Sequence, residues 1–311
     1  MSIILFGQYP RSEVLVKATR DFDRKRISKD VLESALKEDR SSLKNLQKGF
    51  SHFTPGLFHW EDLMRPYTEL IENCQAGPLT RFFETNTFWR RLEVDGAFRI
   101  REDFLDEWSR KYFYPNDTYS AKDPMVFTLP FLFLFRSFSK GMHLDDIQKL
   151  LESIVTEIDK KYRGMVVFFE PNIGWKALEE ADKKQARDFL DRIKSNTSIP
   201  LSLVQCFCSV ENEKEFLYSL PVDSIGVDFY CNRLKDIGEN FPENKTLLAG
   251  VISTESTSLE QKEHIIQFVE GVKKFLPDNN VSFTTSGPAE LLPREVMDKK
   301  LDHMKEVAQW L

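Results

Sequence analysis

Two cysteines one residue apart, Cys206 and Cys208, close the apolar run Leu201-Ser202-Leu203-Val204-Gln205-Cys206-Phe207-Cys208. Successive side chains of an extended strand point to opposite faces, so this spacing predicts both thiols on one face, about 6 to 7 Å apart. Two soft thiolates joined by a carboxylate suit zinc, which takes four ligands tetrahedrally. Asp228 is the expected carboxylate and Cys231 a further candidate. A lone Cys-x-Cys still falls short of the two separated pairs that mark most metal motifs. Glu170 and the turn Gly7-Gln8-Tyr9-Pro10-Arg11 likewise stand where apolar runs stop. Each has a plain structural alternative: Gly and Pro end strands, Cys fills cores, and an acid at a strand end caps the next helix. No His-Glu-x-x-His, Gly-x-Ser-x-Gly or Gly-rich phosphate motif is present.

The elements that must position these residues follow from periodicity. Short apolar runs begin near residues 3, 50, 125, 164, 201, 224, 246 and 281, and amphipathic stretches separate them, among them Ser12 to Arg20, Ser28 to Gly49, Glu61 to Glu72 and Pro293 to Trp310. Eight such units predict a parallel sheet with right-handed crossovers closed into a (β/α)8 TIM barrel. Residues 1–311 then form one barrel, because no Gly/Ser- or Pro-rich linker divides them. Residues 77–101 differ in kind: Arg81 to Leu92 is aromatic and basic, and Asp95-Gly96 has the signature of a tight turn. That stretch predicts a β-hairpin arm inserted after the second strand. Active sites of such barrels lie at the C-terminal strand ends. There the candidates converge: Gly7 to Arg11, Gly56, Pro130, Glu170, Cys206 with Cys208, Asp228 with Cys231, Ser253 to Glu255, and Ser286 with Gly287.

A net charge of -6 over 311 residues carries no overall footprint for nucleic acid. The longest apolar block, Val126 to Phe135, is far shorter than a membrane helix needs. Four cysteines without a signal peptide point to a reducing cytoplasm.

Several segments together carry a resemblance. Phe6-Gly7-Gln8-Tyr9-Pro10-Arg11, Arg26-Ile27-Ser28, Arg81-Phe82-Phe83-Glu84-Thr85-Asn86-Thr87-Phe88, Phe169-Glu170-Pro171, Leu220-Pro221-Val222-Asp223 and Leu292-Pro293-Arg294-Glu295 resemble the cobalamin-independent methionine synthase family. The resemblance implies a (β/α)8 barrel of the type used twice in the long members. Their C-terminal barrel transfers a methyl group from a methyltetrahydropterin to homocysteine held on zinc. The family's His-x-Cys ligand pair falls on Cys206 and Cys208, its glutamate on Asp228, and its last cysteine on Ser286-Gly287-Pro288, which has no thiol. Two acidic positions of the family fall on Leu57 and Phe169.

Thr85-Asn86-Thr87-Phe88 resembles the non-catalytic N-terminal barrel of the long enzymes or its free-standing counterpart. The resemblance thus implies a subunit that binds the methyl donor and docks on a separate catalytic methionine synthase barrel. Gln8, Arg11, Asn86, Glu170 and Asp228 would then contact substrate or cofactor. The arm residues Arg81, Phe82, Phe83, Phe88, Trp89, Arg90 and Arg91 would offer rings to a pterin and guanidinium groups to its carboxylates; the bland alternative is that the rings pack on the barrel rim. The other reading left open is a stand-alone zinc-dependent homocysteine S-methyltransferase using Cys206, Cys208 and Asp228. Pterin and corrinoid donors leave no short motif that separates them.

Overall fold

The computed structural model describes residues 2–113, 117–120, 122–277 and 280–308. Its strands are β1 Ser2–Ile3, β2 Cys74–Arg81, β3 Phe88–Val94, β4 Met125–Pro130, β5 Ser139–Lys140, β6 Gly164–Phe169, β7 Leu201–Val204, β8 Ser224–Asp228, β9 Thr246–Ile252 and β10 Val281–Thr285. Seven of them form one parallel sheet in the order β1-β10-β9-β8-β7-β6-β4. β4 and β7 to β8 are buried at every residue, as parallel strands covered on both faces must be. Helices pack outside. Leu144–Lys161 presents Ile147, Leu150, Leu151, Ile154, Val155 and Ile158, an i, i+3, i+4 stripe, to the core. Among the described residues no helix is long and apolar enough to cross a membrane.

The sheet curls into a TIM-barrel-like α/β fold, and its closure departs from the eight-strand expectation. The second strand, expected over Phe50 to Thr54, is reduced to one bridge, Phe53 with Met125. The buried side chain of Gln47 explains this: its Oε1 accepts the Thr54 N–H at 2.8 Å and its Nε2 donates to the Thr54 carbonyl at 3.0 Å. Both backbone groups that would extend a ladder are therefore engaged, and a Tyr9 N–H to Gly56 carbonyl bond of 3.0 Å spans the remaining gap. The helix expected over Glu61 to Glu72 shrinks to Tyr67–Leu70, because Asp62 draws the Met64 and Arg65 N–H groups onto its own carboxylate. The last helix runs Arg294–Ala308, and Trp310, its expected end, lies outside the described residues.

β2 and β3 form an antiparallel ribbon, with Cys74 opposite Val94 and Arg81 opposite Phe88, and β5 adds to it in parallel. The chain reverses over residues 82–87, closed by a Phe82 N–H to Thr87 carbonyl bond of 2.9 Å. Asp95-Gly96 follows the ribbon instead of turning it. The aromatic residues thus occupy the ribbon's tip, which folds down over the strand ends.

Candidate functional site

Glu170, immediately after β6, is fully buried. Its Oε2 accepts the Phe133 and Leu134 N–H groups, both at 2.9 Å, at the start of the helix Leu132–Ser137. Its Oε1 accepts the Asn172 N–H at 3.1 Å and the Asn172 Nδ2 at 2.8 Å. All four contacts are internal, so this carboxylate organises the loops after β4 and β6. Burial pushes it up to about 7 against the pull of these donors.

β7 ends at Val204, and the expected alternation fails just beyond it. Phe207, between the two cysteines, has φ 73°, a left-handed conformation that rotates the following side chain out of the strand pattern. Cys206 is fully buried, whereas the Cys208 Sγ turns to the Gln205 Nε2 at 2.8 Å and the Ile173 carbonyl at 3.6 Å. Asp228 caps its own strand end: Oδ1 accepts the Tyr230 N–H at 2.8 Å and Oδ2 the Phe207 N–H at 3.3 Å. Cys231 is exposed. At the position of the missing thiol, the Ser286 hydroxyl accepts the Thr254 N–H at 3.1 Å.

Among the described residues no group of three or more His, Cys, Asp or Glu side chains could hold a metal ion. The thiols also lack a cation: burial, with Asp228 adding to it, pushes Cys208 up to about 11 and Cys231 to about 12. The donor set therefore does not fit the zinc expected from Cys206, Cys208 and Asp228. Zinc titration of the purified chain against a chromophoric chelator is expected to give less than about 0.1 ion per chain. Stoichiometric uptake that Cys206→Ser removes would show this geometry to be wrong.

The tip of the arm fills the barrel mouth. Phe82 is stacked on Trp89, with ring centroids 3.7 Å apart, and reaches Phe169 at 6.1 Å and Phe207 at 5.8 Å. Phe82 and Trp89 are thus packing residues. Arg81 donates to the Thr85 carbonyl at 2.7 Å and Arg90 to the Gly77 carbonyl at 3.0 Å, so these two guanidinium groups hold the arm together rather than facing a ligand.

Above the plug lies a cleft of about 570 Å³. Phe83, Trp175 and Phe207 form its aromatic walls, Glu84 and Glu255 supply carboxylates, and Asn86 a carboxamide; among the described residues no Lys or Arg lines it. Phe83 meets Trp175 edge-on at 5.3 Å and Phe207 at 5.8 Å. Phe83, like Phe207, is left-handed, with φ 49°. Such strain in non-glycine residues costs about 1 to 3 kcal/mol each and concentrates at ligand sites. Trp175 is 38% exposed, and the turn that delivers it requires Gly174, at φ 89°, where a Cβ would stand 2.5 Å from the Ser209 carbonyl oxygen.

Gln8 and Arg11 line a separate, smaller cleft and do not join Asn86. Trp175 and Phe207 escaped the sequence reading as site residues. Only Trp175 left a usable signal there, an aromatic directly after a glycine in a strand-end loop.

Residues 65–276 match the family model for the cobalamin-independent synthase, N-terminal domain. Two curated relatives are both named 5-methyltetrahydropteroyltriglutamate-homocysteine methyltransferase. The one from Bacillus subtilis (strain 168) is 24% identical over 225 residues, 67% of this chain and 27% of the relative. The one from Bacillus velezensis (strain DSM 23117 / BGSC 10A6 / LMG 26770 / FZB42) is 26% identical over 196 residues, 58% of this chain and 25% of the relative. The match thus spans about a quarter of these relatives' length.

Among solved structures, a putative vitamin-B12-independent methionine synthase from Listeria monocytogenes superposes with TM-score 0.72 at 11% identity, covering 99% of this chain and 98% of that one. A B12-independent methionine synthase from Shewanella sp. W3-18-1, solved with selenomethionine, gives 0.67 at 12%, covering 91% and 89%. These likenesses show the fold. The family model covers more than half of the chain, and the protein belongs to the cobalamin-independent synthase N-terminal domain family.

Proposed function

We propose that this chain is an N-terminal-type methionine synthase barrel that holds the head group of a methyltetrahydropterin in the aromatic cleft and presents it to a separate catalytic barrel docked on the same face. In this reading residues 1–311 act as one barrel, the 77–101 arm is its donor-facing cover, and the setting is the cytoplasm, as four free thiols favour. The observation that carries the proposal is the cleft's composition, three rings and two carboxylates and, among the described residues, no cation. A pterin is flat and stacks on such rings. Its aminopyrimidinone edge offers adjacent N–H donors, which Glu84 or Glu255 accepts, while Asn86 donates to the ring carbonyl. Glu170 and Asp228 hold the loops that shape the cleft, and activation of the thiol acceptor falls to the partner. The names of the curated relatives, which include both a 5-methyltetrahydropteroyltriglutamate and homocysteine, support this reading.

Calorimetric titration with 5-methyltetrahydrofolate tests it. Saturable binding is expected, and Trp175→Ala is expected to weaken it at least about tenfold, the loss of about 1.4 kcal/mol of stacking and burial. Absence of binding at about millimolar ligand, or an unchanged Trp175→Ala variant, would overturn the proposal. Co-elution with a catalytic homologue tests the docking separately.

A further inference from the structure

The aromatic cleft of about 570 Å³ carries a charge pattern that a flat head group alone does not use. Trp175 is 38% exposed and Phe83 and Phe207 are half-buried, so all three rings keep surface open to a ligand. Phe83 stands at 89° to Trp175 and at 42° to Phe207, so the rings form an angled wall rather than one flat stack. The carboxylates of Glu84 and Glu255 on the same cleft are exposed and make no hydrogen bond or ion pair among the described residues. Arg81, which could neutralise Glu84, is instead engaged with the Thr85 and Glu84 backbone carbonyls at 2.7 and 3.2 Å. Beside Phe207, burial lifts the Asp228 carboxyl above its usual range, and the Glu255 charge adds to this. Negative charge thus gathers around the rings without a counter-ion among the described residues.

We propose that this cleft is a cage for a small quaternary ammonium ion, its N-methyl groups against Phe83, Trp175 and Phe207 and its charge balanced by Glu84 and Glu255. Aromatic rings attract a cation through their quadrupole, and a methylated nitrogen spreads its charge over apolar groups that lose little on leaving water. The other ligand classes fit less well. An anion would meet two carboxylates, and a neutral apolar molecule would leave them unused. A primary ammonium has three N–H donors, for which rings offer no acceptor, and exposed carboxylates alone hold such an ion weakly. A metal ion finds no group of three acidic, His or Cys side chains among the described residues. The inference goes beyond the pterin reading and does not rest on it.

The test uses choline with two relatives that each remove one feature. In 3,3-dimethylbutanol a carbon replaces the charged nitrogen, and in ethanolamine hydrogens replace the methyl groups. Calorimetry on the full chain, with sodium chloride holding the ionic strength fixed, is expected to show saturable choline binding and each relative at least about tenfold weaker. Trp175→Leu, which keeps an apolar side chain without the ring, is expected to weaken choline at least about tenfold, and Trp175→Phe by less than about threefold. The double variant Glu84→Gln with Glu255→Gln is expected to weaken choline and leave 3,3-dimethylbutanol unchanged. Circular dichroism confirms that each variant is folded. No choline binding at about 10 mM, near the weakest affinity calorimetry resolves, equal binding of choline and either relative, or a folded Trp175→Leu variant that binds choline as wild type would overturn the proposal. Titration with 5-methyltetrahydrofolate keeps the two readings apart: choline binding without pterin binding would remove the pterin reading alone, and pterin binding without choline binding this one alone.

Discussion

Lys300→Met is expected to destabilise the fold by about 3 to 5 kcal/mol, with a fall in Tm of roughly 10 °C. The side chains of Lys300 and Glu260 are 0% and 3% exposed and form an ion pair of 2.6 Å between the last helix and the loop after β9. Removing the cation leaves Glu260 charged and dry, and that uncompensated charge is the dominant cost. Glu260 also accepts the Ser253 N–H at 2.9 Å, next to Thr254 and Glu255 at the aromatic cleft. The double variant Glu260→Gln with Lys300→Met therefore separates two effects. It keeps the acceptor for Ser253 without the charge, and at least about 2 kcal/mol of the loss should return. Thermal and urea denaturation of the three proteins measure this. A Lys300→Met melting point within about 2 °C of wild type would show that the pair contributes little.

The second large effect is a pH dependence centred on Glu170. With its carboxyl lifted from 4.5 to about 7, the folded chain retains a proton that the unfolded chain has already lost. Stability therefore falls as pH rises from about 4.5 to about 7, by about 3 kcal/mol, and Glu170 takes nothing further above that window. Glu290, lifted to about 8, has the same sign and extends the slope upward. Glu170→Gln cannot ionise, but its NH2 group must face two of the four N–H donors, an expected cost of about 2 kcal/mol at pH 5. The deficit should shrink or reverse by pH 8, because only the wild type carries the buried charge there. Urea unfolding of both proteins across this range is the measurement. A deficit that stays constant with pH would show that Glu170 is ionised throughout, its four donors prevailing over burial.

Much of the architecture was legible because it depends on local pattern. Continuous apolar runs such as Met125–Pro130 and Gly164–Phe169 have no hydrated face, so they belong inside a parallel sheet, and the helical stripe after each run completes the alternation. The missing eighth strand was not legible. Gln47 reads as one more polar residue near the end of a helix, and nothing local indicates that its carboxamide will occupy both backbone groups of Thr54.

The aromatic character of the arm was equally visible, yet not its division of labour. Phe82 and Trp89 became a stacked plug, while Phe83 came to face the cleft. A one-residue difference within a reversal decides which ring meets solvent.

The pair Cys206 and Cys208 marks the boundary. From sequence alone came their place at the end of a barrel strand, since strand order and strand ends follow from hydrophobic pattern. The tertiary structure decided where the two thiols point. A period of two persists only while ladder hydrogen bonds keep the backbone extended, and here the ladder lapses after Gln205, whose N–H still donates to the Gly226 carbonyl at 3.0 Å. Beyond it the Asp228 carboxylate holds the Phe207 N–H, and the left-handed turn this loop adopts takes Phe207 to the cleft and Cys208 toward residues 171–173.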